Sequence, residues 1–484
     1  MSMDERSIDR EPLVVLLHSN DIHSRLEEAA RISDYIADTR RMFGADRVLA
    51  VDIGDHLDRM RPETEGSGGS VNIELLNAAG YEAGVPGNNE GLTYTKEELE
   101  RLYGSEAKFP VLCCNLEDAD AGELPEWLLP SLVVPKNGLA IGLIGATAPY
   151  PNFYGLLGWT VKEPVEAIRK QAEQLRPTVD VLVVLSHLGL PVDRRLAEEI
   201  PGIDLILGGH THHQLDEPIA VGTTLLCGTG KFGEHVGRIE IGRDAASGRL
   251  TYGARLLATA SMREEPRAAM LLERFKESAR VSMSRTCAVL DRALPLDTDR
   301  ESPLANLLAA GVRRWTGADI GLVNSGQLLG GLAAGEISDG LLHSLCPSPV
   351  NPCRILLKGG RIRLALEQSL LEEYTRMEIR GFGFRGRVLG CLAMDGIELE
   401  WDERRPAGSR ITSLRAGGSD LDDDTEYSVG TLDMFTFGVG YLSLKEGRDI
   451  RYFLPEFLRH VLAEELRSPD GLDGCFLRRT RLRS

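Results

Sequence analysis

One junction recurs along the first half of this chain: a short apolar run that passes at once into a cluster of Asp, His, Asn and Gly. Leu13-Val14-Val15-Leu16-Leu17 leads to Asp21-Ile22-His23, and Val48-Leu49-Ala50-Val51 leads to Asp52-Ile53-Gly54-Asp55. Val181 to Leu185 leads to Ser186-His187, and the run at 203–207 leads to Gly208-Gly209-His210-Thr211-His212. Gly87-Asn88-Asn89-Glu90 forms a fifth cluster. Between these junctions lie amphipathic stretches, such as Leu26 to Phe43 with Ala29, Ile32, Ile36 and Phe43 at helical spacing, and a second helix near 72–79. Alternation of this kind predicts βαβ units in a layered α/β domain. In an open α/β sheet the carboxyl ends of neighbouring strands line one edge, where ligands collect. The five clusters are therefore expected at a common edge.

Two Asp, three His and either His212 or Asn88, brought together there, supply oxygen and imidazole donors suited to borderline divalent cations. In Asp21-Ile22-His23 the alternation of a strand end turns both side chains to one side. The glycines at 54, 87, 208 and 209 permit tight exits and close backbone approach. Taken singly, each cluster has an ordinary structural meaning: His187 a core histidine, Asp55 a helix cap, Gly87-Asn88 a turn. Their number and order predict a two-metal site.

The chain has 484 residues, with 73 Asp plus Glu against 55 Lys plus Arg and a formal charge of −18. An acidic surface argues against duplex nucleic acid or an anionic membrane as partner, while bound cations can still attract a small anionic substrate. No apolar run approaches the ~20 residues that span a bilayer. Met1 to Pro12 is polar and charged without a signal-like apolar stretch, which predicts a cytoplasmic protein. The eight cysteines are expected as reduced, mostly buried thiols, with Cys346 and Cys353 flanking a Pro-rich loop. Pro266 to Val281 reads as a helix joining two domains, giving boundaries at 1–262, 263–286 for the linker and 287–484 for a second α/β unit.

The series D-x-H, G-D, G-N, S-H and G-G-H-T-H resembles the calcineurin-like metallophosphoesterases. Glu301-Ser302-Pro303-Leu304-Ala305-Asn306-Leu307, Ala318-Asp319-Ile320 with Asn324-Ser325-Gly326, and Leu332-Ala333-Ala334-Gly335-Glu336-Ile337 are similar to motifs of the 5′-nucleotidase and UDP-sugar hydrolase family. The resemblance implies a four-layer α/β/β/α metallophosphoesterase domain followed by a smaller α/β 5′-nucleotidase C-terminal domain that carries the substrate pocket. It implies that Asp21, His23 and His212 hold one metal, that Asn88, His187 and His210 hold the other, and that Asp55 bridges them. The donor mixture suits Mn²⁺, Zn²⁺, Co²⁺ or Fe²⁺.

The chain also departs from that family. Its G-N-H-E-F-D loop, with a catalytic His–Asp dyad, reads here Gly87-Asn88-Asn89-Glu90-Gly91-Leu92. Asn89 can donate a hydrogen bond to a phosphoryl oxygen but cannot transfer a proton. His56 is the expected compensating group, with Arg59, Arg61 and His213 as further candidates. The substrate Arg of the family's N-G-G-G-I-R loop is replaced by Leu329. Substrate contacts are expected instead from Asn324, from Phe384 and Arg385 within Gly381-Phe382-Gly383-Phe384-Arg385-Gly386-Arg387, and from Phe435 and Tyr441. The implied activity is a metal-dependent phosphohydrolase acting on a nucleotide or similar small phosphorylated metabolite in nucleotide catabolism. The alternatives are a pyrophosphate or cyclic phosphodiester hydrolase, and a metal-bearing nucleotide-binding or sensing module.

Overall fold

The computed structural model describes residues 11–381 and 383–483; Phe382 and most of the polar N-terminal stretch lie outside them. The chain divides into two units, Met1–Ala279 and Arg280–Ser484. The division falls inside the helix Pro266–Ser282, most of which belongs to the first unit. Its Ala268 and Leu272 are buried, and Glu265 N–H, just before it, donates to the Ala30 carbonyl.

The first unit contains two large mixed sheets. One has the order Leu250–Ala258, His235–Arg243, Val14–Ser19, Val48–Asp52, Ala83–Gly84, Val111–Leu112, Leu128–Leu129. The other has the order Ile219–Val221, Thr224–Gly228, Leu205–Gly208, Val181–His187, Leu139–Thr147, Ser131–Lys136. Strand periodicity explains how they stack. Val14 and Leu16, Leu49 and Val51, and Val181, Val183 and Leu185 form one buried cluster between the sheets, since alternate side chains share a face. Leu182, Val184, Ile144 and Ile206 point to the other side, onto Val165, Ile168 and Ala172 of helix Pro164–Leu175 and Leu196 of helix Leu190–Glu199. Helix Leu26–Phe43 covers the first sheet with Leu26, Ile32 and Ile36 buried and packs against helix Ser70–Ala79. The result is an α/β/β/α stack.

The central strands of each sheet run parallel: Val15 pairs with Val48 and Ser19 with Asp52 in the first, and Ser186 pairs with Ala146 and with Gly208 in the second. Parallel pairing places their carboxyl ends, and the polar clusters that follow, along one edge.

In the second unit, a five-stranded sheet has the order Leu392–Asp395, Ile320–Asn324, Glu426–Leu432, Pro352–Lys358, Arg448–Tyr452. Helix Pro303–Thr316 packs on it, with helix Leu458–Glu465 beside that helix. A smaller four-stranded sheet includes Ile397–Trp401 and Ile411–Ala416. All eight cysteines are free; seven are buried and Cys114 is half-buried. No helix among the described residues is long and apolar enough to cross a membrane.

Candidate metal centre

Asp21, His23, Asp55, Asn88, His187, His210 and His212 come from five different strand exits and converge at one place. His23 Nε2 lies 3.2 Å from His212 Nε2, and His212 Nε2 lies 3.3 Å from Asp21 Oδ1. On the other side, His187 Nε2 lies 3.2 Å from Asn88 Oδ1, and His210 Nδ1 lies 2.7 Å from the same oxygen. Asp55 stands between these groups: Oδ1 is 3.3 Å from His187 Nε2, and Oδ2 is 3.8 Å from His23 Nε2. The ligand atoms of Asp21, His23 and His212, and those of Asp21, Asp55 and His187, each lie within 4.8 Å of one another.

These separations test whether cations fit. Two donors bound to a common ion at about 2.1 Å, across an angle of 90–110°, stand about 3.0–3.4 Å apart. Most of the donor pairs fall close to that range, and the set mixes carboxylate, amide and imidazole as borderline cations require. The residues fit two divalent ions.

The site is built under backbone strain. Asp21, His23, Asp55, His210 and His212 all adopt left-handed conformations, with φ of 51°, 47°, 51°, 71° and 57°. Such residues cost on the order of 1–3 kcal/mol each and persist where surrounding contacts fix them. Those contacts are specific. Asp21 Oδ2 accepts from the Asn20 amide at 2.8 Å and from His210 N–H at 3.0 Å. Gly54 has φ 89°, and a Cβ there would strike the Gly87 backbone. His187 Nδ1 lies 2.7 Å from the Ile53 carbonyl, which accepts its proton and leaves Nε2 facing inward.

Glu90, which sequence reading passed over, is the main brace. Fully buried, its Oε2 accepts from Asp55 N–H at 3.0 Å and Gly87 N–H at 2.7 Å, and its Oε1 from Leu57 N–H at 2.8 Å. One carboxylate thereby ties the Asp55 loop to the Asn88 loop. A legible signal exists: a Glu three residues after Gly87, at the start of helix Asn88–Thr93, is the acidic half of a capping box. Burial, and then the Asp55 charge, push its carboxyl up to about 8. Burial works against charge on Asp55 too, but His187 and then His23 hold it below the usual carboxylate range. His187 is correspondingly raised, against its burial and chiefly by Asp55, to about 10.

The other residues singled out from sequence sit differently. Asn89 is at the site, but its side-chain nitrogen lies 2.9 Å from His23 Nδ1 and 3.3 Å from the Leu57 carbonyl. It is directed at a neighbouring ligand and at backbone. His56 is 2% exposed, with Nδ1 3.3 Å from the Asn72 amide, and burial pushes its pKa down to about 3. It is a neutral interior imidazole that lines no open part of the site. Arg59 pairs with Glu65, and Arg61 with Glu27 and Glu63, so neither guanidinium is turned to the centre. His213 Nδ1 contacts the Thr211 hydroxyl at 2.8 Å.

In the second unit, Asn324, Phe435 and Tyr441 are fully buried, and Phe384 nearly so. Asn324 donates to the Leu389 carbonyl at 2.6 Å, and the Tyr441 hydroxyl donates to the Gly390 carbonyl at 2.7 Å. Tyr441 stacks on Tyr374 and meets Phe435 edge-on. Phe384, Phe435 and Tyr441 all belong to the buried core of the second unit. Arg385 is half-buried, its N–H donating to the Ser348 hydroxyl at 3.0 Å.

A family model of the calcineurin-like phosphoesterases matches residues 14–214, and one of the 5′-nucleotidase C-terminal domain matches 284–444. The chain is 37% identical over 457 residues to the uncharacterized metallophosphoesterase YunD of Bacillus subtilis (strain 168), covering 93% of this chain and 98% of that protein. The chain belongs to the calcineurin-like phosphoesterases that carry a 5′-nucleotidase C-terminal domain. It is thus a member of a family of hydrolases acting on phosphoester bonds, and the converging Asp and His groups occupy the family's dimetal domain. The 5′-nucleotidase of Homo sapiens is 22% identical over 458 residues, 83% of this chain and 77% of that protein. The fold is shared with a 5′-nucleotidase precursor from Thermus thermophilus, at TM-score 0.58 and 24% identity. It is shared as well with the NAD nucleotidase of Haemophilus influenzae, at TM-score 0.68 and 16% identity. Each of these two alignments covers 97% of this chain and 99% of the other.

Proposed function

We propose that this chain is a metal-dependent phosphohydrolase that cleaves a phosphoester of a nucleotide or similar small phosphorylated metabolite. The observation that carries the reading is Asp55, with one carboxylate oxygen toward His187 and the other toward His23. In this reading Asp21, His23 and His212 hold one cation, Asn88, His187 and His210 the second, and Asp55 both. When bound, two such ions supply a water of lowered pKa and Lewis acidity toward phosphoryl oxygens. Mn²⁺, Zn²⁺, Co²⁺ and Fe²⁺ match the donors. Asn89 and Asp58 orient His23, and Ile53 orients His187, so the chain contributes a prearranged donor cage. All these donors come from the first unit; substrate selection is assigned to the C-terminal domain, residues 287–484. The eight free thiols support a reducing, cytoplasmic setting.

A second reading keeps the metals and changes the bond to a pyrophosphate or cyclic phosphodiester. It is favoured by Asn89 and Leu92 standing where the family's proton-transferring dyad is found, because the phosphate expelled from a pyrophosphate, or the opening of a strained phosphate ring, needs less help from an acid than a sugar alkoxide does.

The test is turnover by Mn²⁺-loaded protein of p-nitrophenyl phosphate and AMP, read as phosphate release, and of UDP-glucose and a cyclic nucleotide, read as the nucleoside monophosphate formed, with Asp55→Ala as control. Turnover abolished in the control supports the phosphohydrolase, and the panel separates the two readings. Metal-loaded protein that turns over none of them would favour a binding module instead.

A further inference from the structure

The dyad is absent, Asn89 is engaged with His23, and His56 is interior. A further hydroxyl stands against one of the donors, on the ring nitrogen of His210 that faces away from Asn88. Tyr150 follows the strand Leu139–Thr147, whose last residue pairs with His187, so its loop leaves from the same edge as the donors. Pro151, at the first position of helix Pro151–Leu156, fixes the backbone just beyond it. The Tyr150 hydroxyl lies 3.3 Å from His210 Nε2, and its ring meets the imidazole edge-on with centroids 6.1 Å apart. The residue is half-buried, and among the described residues His210 is its hydroxyl's sole hydrogen-bond partner.

His210 faces Asn88 with Nδ1, the inward atom. With Nδ1 as the coordinating atom, the ring proton sits on Nε2 and is donated to the phenol oxygen. The phenol's own O–H is left with no acceptor among the described residues. We propose that Tyr150 is a substrate-contacting residue whose O–H donates to a non-bridging phosphoryl oxygen while its oxygen holds His210 in place. This rests on the phosphohydrolase reading, and it puts a neutral donor on the His210 side of the phosphoryl group.

Tyr150→Phe retains the ring and removes both hydrogen bonds. Three quantities are measured on wild type and variant: metal content per chain, affinity of the Mn²⁺-loaded protein for inorganic phosphate by calorimetry, and kcat/KM across aryl phosphates of graded leaving-group acidity. The variant is expected to hold two ions, to bind phosphate about ten- to hundredfold more weakly, and to lose kcat/KM by a similar factor across the whole series. Equal phosphate affinity in variant and wild type would overturn the contact. So would a variant that loses an ion yet binds phosphate normally when reloaded, which would make Tyr150 a support for His210 alone. A wild type that holds metals but binds no phosphate would remove the phosphohydrolase reading itself, a different failure.

Discussion

The side-chain amide of Asn89 lies 2.9 Å from Nδ1 of His23, while Nε2 of the same ring faces His212. For Nε2 to coordinate, the ring proton must sit on Nδ1, which faces the Asp58 carboxylate 3.6 Å away and the Asn89 amide, whose oxygen accepts it after a half-turn that gives up the contact to the Leu57 carbonyl. Asn89 is therefore a positioning residue for a ligand. Asn89→Ala should weaken metal affinity roughly 10- to 100-fold, seen by metal-binding calorimetry, with Asn89→Gln recovering part of it. Unchanged affinity in Asn89→Ala would leave the amide without this role.

Glu90 supports two loops at once. Glu90→Ala leaves the N–H groups of Asp55, Leu57 and Gly87 without their acceptor, at roughly 1–3 kcal/mol for each one that stays buried and unpaired. A lowered melting temperature together with loss of bound metal is expected. Loss of thermal stability with full metal content would show that the loops keep their arrangement without the carboxylate.

Gly87 offers a steric test. A Cβ at this position would fall inside the van der Waals envelope of Asp55 Oδ1 and the Asp55 amide. Backbone strain is not the issue, since φ is −80°. Gly87→Ala should displace Asp55 and abolish two-metal occupancy while circular dichroism stays that of the wild type.

Part of this arrangement was legible in the sequence because ligands collect at the carboxyl edge of an open α/β sheet, and strand exits there are marked by apolar runs followed by glycine and polar residues; the division of the donors between two ions was implied by the family resemblance. The α/β/β/α order follows from the same alternation, as Val181, Val183 and Leu185 facing one way and Leu182 and Val184 the other make plain. What the sequence concealed was orientation. His56 is adjacent to Asp55 in the chain, yet points to Asn72. Phe435 and Tyr441 are aromatic residues beside glycines, a pattern that suits a stacking platform and a packed core equally; their complete burial decides for the core. Tyr150 carries no motif and is found only through its distance to His210.

Asp433 gives a pH dependence away from the metal centre. Buried in the second unit, its carboxyl is pushed up to about 7 by desolvation, against the N–H of Asn351 that donates to Oδ2 at 3.2 Å. The unfolded chain ionises this group near the ordinary 3.8, so between about pH 4 and 7 the folded state holds the extra proton. Stability from this group is therefore complete below pH 4 and is lost as pH rises to about 7, by an amount on the order of a few kcal/mol. Asp433→Asn should show a flatter profile over that interval in denaturant midpoints. Parallel profiles for variant and wild type would contradict the assignment.

In the proposed centre, seven side chains of the first unit hold two cations, with Asp55 shared between them. Metal content per chain, determined by mass spectrometry after loading with Mn²⁺ and desalting, tests it most directly in wild type and Asp55→Ala. Two ions are expected in the wild type, and a loss of both, or of all but one weakly held ion, in the variant. A wild type holding fewer than two ions, or an Asp55→Ala protein that still holds two, would contradict it.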